Sequence, residues 1–202
     1  MLEGMEPRLP ADLKGPLGRY LVLLDRWNRT HALTALPPGE RREELLLDAA
    51  ALLPFLEGLP AGSRVADLGT GMGSPAVVLA LARPDLEVLG VDASAKKLAF
   101  VRQVALELPV PNLKVVQGRL EDLAPLAADW GTAKALGALP SLAQWWGRHG
   151  RPGAPFFALK GPEWVEEGLP EGWRAEAHPY ELPSRGRRMV VELRRTEAEA
   201  RA

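Results

Sequence analysis

Apolar positions recur along this chain in two rhythms. Leu17, Tyr20, Leu21, Leu24 and Trp27 repeat at helical spacing, with Arg26, Arg29 and His31 decorating the helix end. Ahead of them, residues 1–16 carry three prolines and little periodicity, which reads as loop or loosely docked tail. Pro37-Pro38-Gly39 breaks the chain, and a second helix is expected from Glu40 to Glu57, burying Leu46, Leu47, Ala50 and Leu53. The period then changes. Val65, Ala66 and Leu68 form a short apolar run ending in glycines at 69, 71 and 73, as a buried parallel strand feeding a tight turn would. Pro75 to Ala82 reads as a helix stopped by Arg83-Pro84-Asp85, and Val88 to Val91 as a second strand closed by Asp92. Ser94 caps a helix whose inner stripe is Leu98, Val101, Ala105 and Leu108, and Leu113 to Val116 is the third strand.

Between Asp129 and Leu139 the pattern is weakest; the βα rhythm requires a strand there, and Gly131 to Ala135 supplies it. A helix over 140–148 carries Trp145 and Trp146, and Pro155 to Lys160 is the fifth strand. Trp173–Leu182 and Arg188–Leu193, joined by Pro183-Ser-Arg-Gly186, look like a terminal antiparallel pair. This order predicts an α/β fold: a seven-stranded, mostly parallel, doubly wound Rossmann-like sheet with a terminal hairpin and a helical cap. Residues 1–58 are expected as the helical extension and 59–202 as the core, packed as one compact unit.

The length of 202 residues and the hydrophobic fraction of 47% permit such a core. A net charge of −1 with pI near 6.3 leaves no global positive field, so any RNA binding must come from local patches. The absence of cysteine excludes disulfides, thiolate metal sites and cysteine nucleophiles. His31, His149 and His178 lack metal-ligand spacing and read as surface residues, so no metal is expected. Scarce asparagine and glutamine with abundant arginine suggest a hot-growing source, although a GC-rich genome would also favour arginine. Without a membrane-length apolar run or a secretory segment, the expectation is a cytoplasmic protein with no membrane partner, and a monomer is favoured.

The chemistry concentrates at the glycine turn. Ser74 is placed to cap the following helix with Pro75 at its first position, leaving free backbone N–H groups facing the space above the strand. A dinucleotide fingerprint would put glycine at 69, 71 and 74, but position 74 is serine. Asp67 at the strand end suits the ammonium of a methionine moiety and would repel a pyrophosphate. Asp92, about 20 residues beyond the turn, can accept hydrogen bonds from ribose hydroxyls in either cofactor class. These features favour S-adenosylmethionine over NAD and leave a nicotinamide-dependent oxidoreductase as the weaker reading. Gly118-Arg-Leu-Glu-Asp122 brings further polar groups to the same edge.

An ordered series of segments then becomes familiar. Trp27-Asn28 with Leu33-Thr34, Asp67-Leu-Gly-Thr-Gly-Met-Gly-Ser-Pro75, Arg83-Pro84, Asp92-Ala-Ser-Ala-Lys-Lys97, Phe100-Val-Arg-Gln103, Gly118-Arg-Leu-Glu121, Ala158-Leu-Lys-Gly161 and Arg188 follow in spacing and order. The chain thereby resembles the bacterial small-subunit (16S) rRNA guanine-N7 methyltransferases, the RsmG or GidB family. The resemblance implies a class I methyltransferase fold and methyl transfer from S-adenosylmethionine to guanine N7 in small-subunit rRNA or the ribosomal subunit. It also implies that Gly69 and Ser74 belong to the loop around the methionine part, Asp92 to the ribose, and Leu120 with Glu121 to the adenine pocket. Lys134 takes the place of a cofactor-associated arginine; with Asp67, Thr70, Gly71 and Gly73 these residues make the candidate cofactor site. Lys160 and Arg188 match basic positions near the RNA face and, with Lys134, are candidates for orienting substrate.

No acid or base is assigned, because guanine N7 already presents a lone pair at neutral pH and the task is placement. The family pattern would put asparagine at Ala32, histidine at Leu45, serine at Ala49, glycine at Ala76, arginine at Lys134 and histidine at Met189, while Asp48 is kept. Read as positions that meet RNA, these departures keep a second account open: a diverged relative with another substrate or without catalysis. Arg185, Arg187, Arg188, Arg194 and Arg195 form a basic terminal region, either an RNA-tracking strip or a solvated edge. Trp145 and Trp146 are read as helix-core packing ahead of base stacking.

Overall fold

The computed structural model describes residues 6–196, so the first five positions of the expected leading loop lie outside the described residues. Strands β1 (Arg64–Leu68), β2 (Glu87–Asp92), β3 (Leu113–Gln117), β4 (Trp130–Lys134), β5 (Phe156–Lys160), β6 (Trp173–Leu182) and β7 (Gly186–Arg195) form one sheet in the order β3-β2-β1-β4-β5-β7-β6. The first five run parallel, and β7 inserts antiparallel between β5 and β6. This is the seven-stranded doubly wound sheet that the sequence predicts, and the order in which strands are added reverses between β1 and β4. Ligands bind at such a switch point, outside the carboxyl ends of the strands.

Helices α1 (Lys14–His31), α2 (Pro38–Arg41), α3 (Asp48–Ala50), α4 (Ala76–Ala82), α5 (Ala95–Glu107) and α6 (Leu139–His149) cover the sheet. One apolar cluster joins cap to sheet, running from Leu9 and Leu13 through Tyr20, Leu46 and Leu52 to Val65, Val88 and Val190. The other face packs α6 on the sheet. A Cβ on Gly131 would stand 2.4 Å from the Trp146 ring, so the bare backbone of β4 is what admits that indole.

The cap departs from expectation in three places. The loosely docked leader is ordered from Leu9: Leu9 and Leu13 are buried, a 3-10 turn spans Ala11–Leu13, and α1 follows directly. Pro16 sits in the first turn of α1, where a missing N–H costs nothing. The expected helix over 40–57 instead ends at Ala50, because Pro54 cannot continue it and a 3-10 turn at Leu53–Leu56 takes over. Within it Arg42–Leu47 widens into a π segment, and Leu52, not Leu53, is the fully buried residue.

Candidate cofactor and substrate site

The glycine turn after β1 has positive φ at Gly69 (72°), Gly71 (57°) and Gly73 (91°), a backbone that side chains resist. At Gly69 a Cβ would also stand 2.5 Å from Leu136 Cδ1, so the turn and the segment after β4 approach closely there. Asp67 is fully buried beneath the turn; its Oδ2 accepts the Ala76 N–H at 3.0 Å, and Oδ1 has no hydrogen-bond partner. Burial pushes its carboxyl up to about 7.

It is therefore Asp67 that satisfies the first N–H of α4, not Ser74. The Ser74 hydroxyl donates 2.6 Å to the Leu45 carbonyl of the cap instead, and Pro75 precedes the helix without a side-chain cap. Ser94 does cap α5, accepting from Lys97 N at 3.4 Å. Asp92 braces the turn from the next strand: Oδ2 accepts from Gly71 N at 3.0 Å and Oδ1 from Ser94 N at 2.8 Å. Thr70 is buried and its hydroxyl is unpartnered.

Around this turn lies a cavity of about 230 Å³ lined by Gly69, Val91, Asp92, Leu120, Glu121 and Trp145, with Leu136 over Gly69. The apolar walls and the flanking carboxylates suit a nucleoside. Glu121 accepts the Trp145 indole N–H at 2.8 Å; its own backbone N–H and then this bond hold its carboxyl below the ordinary value. Trp145 thus faces the cavity, whereas Trp146 is core, as the sequence reading has it. Leu136 escaped the sequence reading, since it follows the faint fourth strand, and Trp145, read with Trp146 as core packing, lines the cavity instead.

The predicted basic residues are drawn into ion pairs. Lys134, at the end of β4, donates to the Glu44 carbonyl and lies 3.5 Å from Asp48 Oδ2. Asp48 is fully buried; it also accepts from the Tyr180 hydroxyl and sits 3.7 Å from Arg188. Lys160 donates to both Glu167 oxygens, at 2.7 and 2.8 Å, and to the Gly137 carbonyl at 2.7 Å. The basic terminal region is largely paired as well: Arg185 with Glu40 and Glu44, Arg194 with Glu192.

Four of the six departures from the family pattern fall inside the protein. Leu45, Ala49, Ala76 and Met189 are buried, so these substitutions lie in packing and not on an RNA-facing surface. Ala32 has φ 45°, the left-handed position after α1 where asparagine is at ease, and Asn28 closes the same turn through Thr34 N and O at 2.9 and 3.0 Å. This motif shapes a turn.

Two histidines depart from the surface reading. His149 is fully buried, with Nε2 donating 2.8 Å to the Leu120 carbonyl, and burial lowers its pKa. His178 is largely buried against Phe55 and comes between Glu176 and Glu192, their ligand-type atoms within 4.8 Å of one another. Sequence spacing hides this trio because pairing of β6 with β7 assembles it; Arg194 neutralises Glu192.

The sheet order, the reversal between β1 and β4 and the glycine turn braced by Asp67 and Asp92 define a class I S-adenosylmethionine-dependent methyltransferase fold. Solved structures agree: a SAM-dependent methyltransferase from Aquifex aeolicus has a TM-score of 0.58 at 18% identity, covering 84% of this chain and 97% of that one. An O-methyltransferase from Klebsiella pneumoniae, so designated provisionally, has a TM-score of 0.60 at 19% identity, covering 90% of each.

The chain belongs to the GidB family, rRNA small subunit methyltransferase G, whose family model matches residues 14–178. Ribosomal RNA small subunit methyltransferase G of Xanthomonas axonopodis pv. citri is 41% identical over 193 residues, 93% of this chain and 89% of its own length. The Bordetella avium protein of the same name is 37% identical over 195 residues, 93% of this chain and 87% of its own length.

Proposed function

We propose that this protein methylates guanine N7 in small-subunit rRNA, using S-adenosylmethionine bound at the carboxyl edge between β1, β2 and β3. The observation that carries the reading is the cavity in which Gly69, Asp92 and Leu120–Glu121 meet, in a chain that belongs to this family. S-adenosylmethionine supplies an electrophilic methyl group on sulfur. The chain supplies placement. Asp92 accepts from ribose hydroxyls, while Leu120, Leu136 and Trp145 enclose the purine and keep water away. The open turn Gly69–Gly73 lets backbone approach the methionine part, and an ammonium above it favours the ionised form of Asp67.

Guanine N7 needs no proton removed before attack, so orientation within a dry pocket is the catalytic work. Lys134, Lys160 and Arg188 serve as positioning residues, fixing the segments after β4 and β5 and the hairpin through Asp48 and Glu167. No described helix is long and apolar enough to cross a membrane; the proposed location is the cytoplasm, where the substrate resides.

Calorimetric titration with S-adenosylmethionine, S-adenosylhomocysteine and NAD tests the cofactor. The first two should bind and NAD should not. Gly69→Arg should abolish binding, since even a Cβ at φ 72° collides with Leu136. Methyl transfer to purified small subunits then tests the substrate. Binding of NAD alone by folded protein overturns the methyltransferase reading.

A further inference from the structure

We propose that the exposed end of α1 and the first turn of α5 form a strip that grips RNA phosphates beside the cofactor cavity. The proposal rests on the rRNA methyltransferase reading above and names the surface that reading leaves unspecified. Arg26, Arg29 and Lys96 are exposed and Lys97 is half-buried; among the described residues none of the four is ion-paired. They contrast with Lys134 and Arg188, which share Asp48, and with Lys160, which is held by Glu167. A paired cation must give up its partner before it can meet phosphate, whereas an unpaired one only releases counterions.

The strip is assembled by contact as well as by charge. Lys96 Nζ donates 2.7 Å to the His31 carbonyl, pinning the carboxyl end of α1 to the start of α5. Trp27 packs edge-on against Phe100 at 5.7 Å between the same two helices. Because α5 begins just after Asp92, the strip borders the cavity at the carboxyl edge.

Nearby acids are already engaged. Asp25 pairs with Arg41, both Asp92 oxygens accept backbone N–H groups, and Glu107, at the far end of α5, accepts from Gln103. With an overall charge of −1, this local excess is where a polyanion would settle. The chemistry recognised is the phosphate backbone, which fixes register without reading bases.

The test is the triple variant Arg26→Ala, Arg29→Ala, Lys97→Ala, with Lys96 kept because it ties the two helices. Affinity for small-subunit rRNA is measured against salt concentration. Each lost phosphate contact lowers the slope of log affinity against log salt by about 0.7–0.9, so the variant's slope should be shallower by about 2. Its titration with S-adenosylmethionine should match wild type, showing that fold and cofactor site are intact. An unchanged slope overturns the strip while leaving the enzyme reading standing. Weakened binding only to assembled subunits, with naked rRNA unaffected, also overturns it and points to a ribosomal protein as partner. If wild type binds S-adenosylmethionine but neither rRNA nor subunit, the substrate reading and the strip fall together.

Discussion

Asp48 Oδ2 lies 3.5 Å from Lys134 Nζ, joining the helical cap to the end of the central strand β4. The same oxygen is 3.7 Å from Arg188, and Oδ1 accepts from Tyr180, so one buried carboxylate serves both cations and the terminal hairpin. Removing one partner of a buried pair costs about 3–5 kcal/mol because the remaining charge is stranded. Asp48→Ala should lose stability in that range, read as a lowered urea midpoint. Asp48→Asn, which still accepts from Tyr180, should lose less. Equal losses for both variants would mean that the charge of Asp48 carries the whole effect, since asparagine keeps its size and its acceptor for Tyr180.

Asp67 gives the protein a pH dependence of definite sign. Burial holds its native carboxyl near 7, above the ordinary 3.8, so between those values the native state keeps a proton that the unfolded chain has released. This group therefore favours folding fully below about pH 4, loses that advantage as pH rises to about 7, and changes nothing further above. Asp67→Asn cannot ionise, yet its side-chain oxygen can still accept from Ala76 N. Unfolding free energy of wild type minus that of the variant should fall between pH 4 and 7 and then level off. A flat difference would mean that Asp67 is ionised throughout.

The parallel strands were legible because Val65–Leu68 and Val88–Val91 are apolar runs punctuated by glycine or aspartate, a pattern local in sequence. β4 was legible only through the βα rhythm, as Gly131, Ala133 and Lys134 carry little β signal, yet it occupies Trp130–Lys134, within a residue of expectation. What escaped is what distant packing decides. Ser94 and Ser74 look alike as caps, but only Ser94 faces its own helix, because Leu45 of the cap offers Ser74 a carbonyl. His149 looks like any helix-end histidine until the Leu120 carbonyl comes to cover it. Lys134 and Arg188 read as free cations because Asp48 lies 86 and 140 positions away from them in sequence.

Ala32 is a site where the sequence works against its backbone. Its φ of 45° is left-handed, which costs an L-residue roughly 1–2 kcal/mol. Ala32→Gly removes the strain but adds unfolded-chain entropy, leaving a net gain of about 0.5–1 kcal/mol. The melting temperature should rise by roughly 1–4 °C at this chain length. Ala32→Asn should also stabilise, by a smaller margin; a fall for both variants would show that the methyl group of Ala32 is packed to some purpose.

Ser74 separates two accounts of the cofactor turn. As an N-cap acceptor it would be replaced by aspartate with little loss, since the two residues cap about equally well. As a donor to the Leu45 carbonyl at 2.6 Å it tolerates neither alanine nor aspartate. Alanine strands a buried carbonyl, at about 1–3 kcal/mol. Aspartate strands it too and sets a carboxylate against it in a residue that is 7% exposed, so Ser74→Asp should be the less stable variant. Because the bond links the cap to the glycine turn, both variants should also weaken S-adenosylmethionine binding, and Ser74→Asp more. Denaturant midpoints and cofactor titrations of the pair decide the matter: Ser74→Asp equal to wild type would restore the capping role, whereas the order wild type, alanine, aspartate assigns Ser74 to the joint between cap and cofactor loop.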